Sequence, residues 1–253
     1  MKLYEICFSP TGGTKKAADL LAKGLSEEIL PVDLTDSQMD FSAVSLKSED
    51  AALIAVPSYG GRVPETAVKR ISVLKGNGAK AVLVCVYGNR AYEDTLTELT
   101  DTAKEAGFQV IAAVSAVAEH SIVRQIAAGR PDSQDEGQLA EFAGKIKGKL
   151  EKGDMKEPDV PGNRPYKKWG GSGTVPKPDE NCTSCGLCAR KCPVQAIDLK
   201  DPDKVDEGVC ISCMRCISVC PQHARTVDEP LLAALYDRLS KVCGGRKEGE
   251  LFL

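Results

Sequence analysis

"CFSPTGGTKKAADLLA", residues 7–22, decides how the first part of this chain folds. The apolar stretch "KLYEICF" (2–8) runs into two glycines and three hydroxyl side chains, and a helical pattern opens directly behind them. Ala17, Leu20, Leu21 and Leu25 recur at the spacing of one helix face. In a strand–turn–helix of this kind, free backbone N–H groups at the helix N-terminus can hold a phosphate. Two common nucleotide signatures are excluded. No Gly-Lys-Ser/Thr is present, so there is no Walker A loop. Gly12-Gly13 is followed by Thr14, Lys15, Lys16 and Ala17, so there is no G-x-G-x-x-G fingerprint.

The same alternation continues outward from this stretch. "AALIAVP" (51–57), "AKAVLVCVY" (79–87) and "FQVIAAVSAV" (108–117) are short, apolar and β-branched, as strands covered on both faces must be. "ILPVDL" (29–34) reads as a fifth strand, placed at an edge by Pro31. Between them lie helical stripes: Val68, Ile71 and Leu74; Leu96, Leu99 and Ala103; Leu139, Phe142, Ile146 and Leu150. Residues 1–152 therefore predict an α/β domain with a doubly wound, five-stranded parallel sheet.

Composition narrows the class. With 33 basic and 36 acidic residues the net charge is −3, so no basic field argues for nucleic acid. No apolar run reaches the ~20 residues of a membrane helix, and the chain is expected to be cytoplasmic, with no membrane insertion. Residues 153–178 form a linker; five prolines and four glycines fall within 155–178. Composition alone allows a disordered tether. Tyr166 and Trp169, the only tryptophan, suggest instead that the segment docks.

Eight of the eleven cysteines lie between Cys182 and Cys220, a crowding that favours metal over disulfides. "CTSCGLCARKCP" (182–193) and "CISCMRCISVCP" (210–221) repeat at an offset of 28, each reading C-x₂-C-x₂-C-x₃-C-P. Three thiolates at x₂ spacing converge from one tight loop. Zinc knuckles need only paired C-x₂-C and give no reason for the third cysteine and the C-P in both copies. The repeat resembles bacterial-type two-cluster ferredoxins, over residues 179–229. That resemblance implies two [4Fe–4S] clusters with crossed ligands. Cys182, Cys185, Cys188 and Cys220 would hold one, and Cys210, Cys213, Cys216 and Cys192 the other. Cys7 and Cys85 sit in strand patterns as small buried hydrophobes, and Cys243 ends the helical pattern "LLAALYDRLSKVC" (231–243) within a C-terminal helix and tail, 230–253.

With an iron–sulfur module present, the phosphate at the N-terminal loop points to a flavin. "SPTGGT" (9–14) resembles the flavodoxin phosphate loop. The resemblance implies that Ser9, Thr11 and Thr14 hydroxyls, with amides at Gly12 and Gly13, hold the FMN phosphate. Lys15 and Lys16 would then face solvent. "PSYGG" (57–61) resembles the loop that sets an aromatic on one flavin face, a role that falls to Tyr59. Pro57 and Ser58 flank it, and Gly60 and Gly61 would let a peptide turn over toward the flavin N5. "YGNRAYE" (87–93) resembles the loop at the pyrimidine edge, with Tyr87, Gly88 and Asn89 lining that edge and Tyr92 covering the second face. The family's aspartate is Asn89 here. The whole chain thus resembles fused flavodoxin–ferredoxin proteins of anaerobes: a flavodoxin-like α/β domain, then a small α+β ferredoxin domain.

Two stretches have no flavodoxin counterpart, "AEHSI" (118–122) and "AGRPDSQD" (128–135). His120 falls at the ligand end of a strand, as a proton donor near the flavin or as a structural imidazole. His223 follows the second C-P and would shield a cluster. The resemblance implies an electron carrier passing single electrons among the clusters, FMN and redox partner proteins. Two other functions stay open: an FMN-dependent reductase of a quinone-like or other oxidised small molecule, and a redox sensor. The reductase requires an apolar pocket and a proton donor over the flavin.

Overall fold

The structure, a computed structural model, describes residues 2–170 and 173–253. In β1 (Leu3–Cys7) the side chains alternate. Leu3 and Cys7 enter one core and Ile6, with the following Phe8, enters the other. After it come α1 (Gly13–Leu25), β2 (Ile29–Asp33), β3 (Ala51–Pro57), α2 (Glu65–Ile71), β4 (Lys80–Tyr87), α3 (Thr95–Glu105), β5 (Gln109–Val117) and α4 (Ser133–Glu151). The strands lie in the order β2-β1-β3-β4-β5, all parallel. β2 occupies the edge, where Pro31 removes no hydrogen bond from an inner ladder. β3 and β4 are apolar along nearly their whole length because both faces are covered. Leu53, Ala55 and Val84 pack with Leu21 of α1 and Phe142 of α4. Ile54, Leu83 and Cys85 pack with Ile71 of α2 and Leu96 of α3. Burial pushes the thiols of Cys7 and Cys85 well up, so both are inert core residues.

The linker is not a free tether. Residues 153–170 contain no helix or strand, yet they are sewn to α3 and the turn before it. The Arg164 guanidinium donates to Asp101 at 2.8 and 2.7 Å, and the Tyr166 hydroxyl donates to the same carboxylate. The amides of Asn163 and Lys167 donate to Asp94 at 2.9 and 2.7 Å. Arg62 lies 4.8 Å over the Tyr166 ring. Trp169 is 39% exposed, so Tyr166 rather than Trp169 anchors the segment.

Beyond it, β6 (Lys177–Pro178), α5 (Leu187–Arg190), α6 (Arg215–Ser218) and β7 (Arg225–Thr226) form the small second domain, with β6 and β7 antiparallel. The sequence repeat is also a backbone repeat. Ser184 and Ser212 have φ of 52° and 53°, Gly186 and Met214 71° and 61°, Gln195 and His223 53° and 52°. Left-handed φ is uncommon outside glycine, and its recurrence at equivalent positions shows that the two cysteine loops are built alike.

The C-terminal residues correct the sequence expectation. α7 (Glu229–Ser240) leaves the second domain, and β8 (Glu250–Phe252) returns to pair antiparallel with β5, Ser115 opposite Glu250 and Ala113 opposite Phe252. The main sheet therefore has six strands rather than five. Residues 128–135 explain the return. Asp132 and Asp135 form a capping box on α4, accepting from the Asp135 and Asp132 amides at 3.2 and 2.9 Å. Arg130 forks onto Asp135 at 2.9 and 2.5 Å and donates to the Lys247 carbonyl at 2.8 Å, while Arg246 forks onto Asp132 at 2.6 and 3.0 Å. Among the described residues, no helix is long and apolar enough to cross a membrane.

Candidate functional site

The C-terminal ends of β1, β3, β4 and β5 open into one cavity of about 520 Å³, where a doubly wound sheet binds its ligand. Thr11, Gly13 and Thr14 line it from the first turn, Pro57 to Gly60 from the second, Tyr87 and Gly88 from the third, and His120 from the fourth.

At the first turn, Gly12 takes φ 92°, a left-handed angle that lets the chain leave β1 and enter α1 at once. Among the described residues no side chain caps α1, and its first turn carries no acidic residue. The N–H groups at Gly13 and Thr14 have no partner inside the helix, so the turn presents donors that suit a phosphate. This donor set fits FMN. Ser9 serves the turn itself: its hydroxyl accepts from the Lys15 amide at 2.9 Å, and neither Ser9 nor Gly12 lines the cavity. Lys15 is not merely solvated, since it pairs with Asp19 and lies 3.2 Å from the buried Glu5. Thr11→Ala or Thr14→Ala is expected to weaken FMN by about 0.5–3 kcal/mol, because each removes one charge-assisted donor. Riboflavin, which lacks the phosphate, should bind almost equally to the variants and the parent. Fluorescence titration of apoprotein with both flavins checks this, and an equal loss for riboflavin would remove the phosphate from the explanation.

At the second turn, Tyr59 and Arg62 exchange backbone hydrogen bonds of 2.9 and 3.2 Å across Gly60 and Gly61, whose φ values are 60° and 86°. Two successive positive φ values make a tight reversal that glycine fills without strain. The reversal is fixed from outside: Arg62 forks onto Glu98 at 2.7 and 2.6 Å. The Gly61 carbonyl accepts from Asp94 N at 3.0 Å, and Gly61 lies outside the cavity lining. Burial pushes the Tyr59 hydroxyl pKa well up, which keeps it neutral against the ligand. His120 Nδ1 accepts from the amides of Ile122 and Val123 at 3.2 and 3.1 Å. That assigns its proton to Nε2, and burial followed by the Arg90 charge lowers its pKa, so the ring is a neutral donor in the cavity wall.

Two expected roles do not fit. Tyr92 was expected over the second flavin face and Asn89 at the pyrimidine edge; neither lines the cavity. The Tyr92 hydroxyl donates to Glu250 at 2.5 Å, and its ring packs edge-on against Tyr87 at 5.2 Å. Asn89 Nδ2 donates to the Cys243 and Gly245 carbonyls at 2.8 and 2.9 Å, and its oxygen accepts from Lys247 N at 3.3 Å. Both side chains were claimed by the returning C-terminus. This also explains the amide, since a carboxylate could not donate to two carbonyls.

Sequence reasoning missed the far wall. Leu235, Leu239 and Val242 of α7 and its following turn face the cavity, as do Trp169 and the cations Arg90, Lys167 and Arg238. The i, i+4, i+7 spacing of the three apolar residues was the available signal. α7 is seated there by packing Leu235 and Leu239 on Val123 and Ile126, in the segment after His120.

The cysteines separate into two sets. Cys182, Cys185, Cys188 and Cys220 surround one small cavity, and Cys192, Cys210, Cys213 and Cys216 another. Each fourth thiol accepts an amide at 3.3 Å, Ala196 N on Cys192 and Ala224 N on Cys220. Among the described residues no three potential ligands converge on a single ion. Four thiols around a small apolar space suit a cube with one cysteine per iron, so the donor set fits [4Fe–4S] better than zinc. The second set lies against the first domain: Arg215 donates to the Pro10 carbonyl at 3.2 Å and Arg70 to the Pro193 carbonyl at 2.6 Å.

The family model for flavodoxin matches residues 6–157, more than half of the sequence. The chain belongs to the flavodoxin family. The model for the 4Fe-4S dicluster domain matches residues 181–224, so the flavodoxin domain is joined to a ferredoxin domain. The flavodoxin domain implies FMN, and the dicluster domain implies two [4Fe–4S] clusters. An uncharacterized protein of Methanocaldococcus jannaschii, MJ0749, is 49% identical over 49 residues, covering 19% of this chain and 19% of that protein. The match thus spans about a fifth of that relative's length. Ferredoxin-2 of Chlorobaculum tepidum is 41% identical over 49 residues, 17% of this chain and 79% of that protein. Among solved structures, the flavodoxin of Streptococcus pneumonia TIGR4 aligns over 58% of this chain and 99% of its own, with a TM-score of 0.40 and 20% identity.

Proposed function

We propose that the chain relays single electrons between its two clusters and FMN within one molecule, and onward to redox partner proteins. One observation carries this reading. Ile211 and Ser212, which lie inside the second C-x₂-C loop, line the same cavity as Thr11, Tyr59 and Gly88. The cluster of Cys192, Cys210, Cys213 and Cys216 is then proximal to the flavin. The cluster of Cys182, Cys185, Cys188 and Cys220 is the outer terminal, since neither Cys220 nor any residue from 182 to 191 lines the cavity. FMN when bound accepts or returns one or two electrons. The protein's part is to hold the cofactors at fixed separation and keep water from the path. Residues 1–152, 153–178, 179–229 and 230–253 serve in this reading as flavin domain, strap, cluster domain and cover.

The test is intramolecular transfer. After rapid reduction of the clusters, flavin bleaching should be first order and independent of protein concentration, because the strap and β8 both hold the domains together. Cutting the strap, while β8 still pairs with β5, should slow it without making it second order. A rate that rises with protein concentration in the intact chain would rule the internal relay out. Trp169→Ala should slow transfer less, as the strap remains tied through Tyr166 and Arg164.

A second reading has its own support. The apolar wall of Leu235, Leu239 and Val242, in the same cavity as the neutral imidazole of His120, has the character of a small-molecule pocket with a proton donor. In that reading FMN reduces a quinone-like or other oxidised compound. His120→Gln would then lower turnover of the compound while leaving cluster-to-flavin transfer unchanged.

A further inference from the structure

Arg225 stands where the internal repeat calls for an apolar residue. Its counterpart in the first copy is Ile197, a core residue at 6% exposure, and Arg225 is itself only 2% exposed. A buried guanidinium is costly unless anions compensate it. Its hydrogen bonds, among the described residues, reach no carboxylate. Nη1 donates to the Pro202 carbonyl at 2.9 Å and to the Cys188 sulfur at 3.3 Å, and Nη2 donates to the Pro176 carbonyl at 3.2 Å. Nε is buried without a partner. The side chain lines the cavity enclosed by Cys182, Cys185, Cys188 and Cys220.

We propose that Arg225 is the buried countercharge of the outer cluster and sets the order in which the two clusters are reduced. A cluster with four thiolates becomes one unit more negative on gaining an electron, so a fixed cation nearby favours the reduced form. The effect falls mainly on the outer cluster, because Nη1 bonds the sulfur of its ligand Cys188. Arg225 does not line the cavity of the proximal set, so that cluster feels the charge less. The outer cluster is therefore the easier of the two to reduce, and the first electron rests there. This inference rests on the grouping of the cysteines above and is independent of whether the flavin is the next stop.

The experiment compares Arg225→Gln, Arg225→Ile and Arg225→Lys in the full-length protein, with potentials read by EPR-monitored titration. A Cys185→Ser variant identifies the outer cluster's signal. Iron content reports separately on whether the clusters assemble. In the Gln and Ile variants, the reduced-to-oxidised ratio of the outer cluster at fixed potential should fall about tenfold, equivalent to about 59 mV for one electron. The proximal cluster should shift less, and Lys should retain most of the parent value. Assembly of the outer cluster only in the parent and Lys variant would also support a charge requirement. Unchanged potentials in Gln and Ile, a fall in Lys as large as in Ile, or loss of the cluster in all three variants would overturn the proposal.

Discussion

Replacing Cys192 with alanine is expected to abolish internal reduction of the flavin while sparing the outer cluster. Cys192 lies in the first sequence copy, yet its sulfur borders the cavity of Cys210, Cys213 and Cys216. Without it, one iron loses its thiolate and the site next to Ile211 and Ser212 fails. Anaerobic iron content should fall from about eight per chain toward about four. Electrons delivered to the surviving cluster would lie behind the lost one, outside the cavity lining, so flavin bleaching should be slower than in any strap variant. Cys182→Ala is the matched control: iron falls similarly, but the proximal cluster and its exchange with the flavin persist. If Cys192→Ala erased the signal that Cys185→Ser perturbs and left the other intact, the crossed ligand set would be wrong.

The outcome bears on how far the sequence could be read. Elements with local causes were legible. The apolar runs of β3 and β4, Pro31 at an edge and the stripe from Leu139 to Ile146 all follow from nearest-neighbour chemistry. So does the cysteine repeat, whose spacing carries its own geometry. What escaped were contacts between residues more than a hundred positions apart. A three-residue strand at Glu250–Phe252 has no periodicity to detect, and it exists because β5 offers an open edge beside Arg130 and Asp135. That return captured Tyr92 and Asn89, which local resemblance had given to the flavin. The cavity's far wall escaped for a related reason. The stripe of Leu235, Leu239 and Val242 announces an apolar face, and only the tertiary fold says that part of that face looks at a cofactor.

Restoring the family's acid at position 89 should then be harmful, which inverts the usual expectation for a consensus change. Asn89 is 4% exposed and donates to two carbonyls of the C-terminal turn. Asn89→Asp would set a buried carboxylate against the Cys243 and Gly245 oxygens and leave both without a donor. The expected cost is about 3 kcal/mol or more, a drop of about 6–12 °C in melting temperature for a chain of this size. Asn89→Ala removes the same donors without adding charge, and should cost about 1–3 kcal/mol. The sign of the pH dependence separates the two. An aspartate in that site has a folded pKa raised above its unfolded value near 3.9, so its penalty is absent where both states are protonated and grows as pH rises. The gap between Asn89→Asp and the parent should widen from pH 5 to pH 8, whereas the Asn89→Ala gap should stay level. Because the released turn follows α7, which walls the cavity with Leu235, Leu239 and Val242, FMN affinity should fall with stability in the Asp variant. An Asn89→Ala variant as stable as the parent would show that the two carbonyls do not hold the loop after β4 in place.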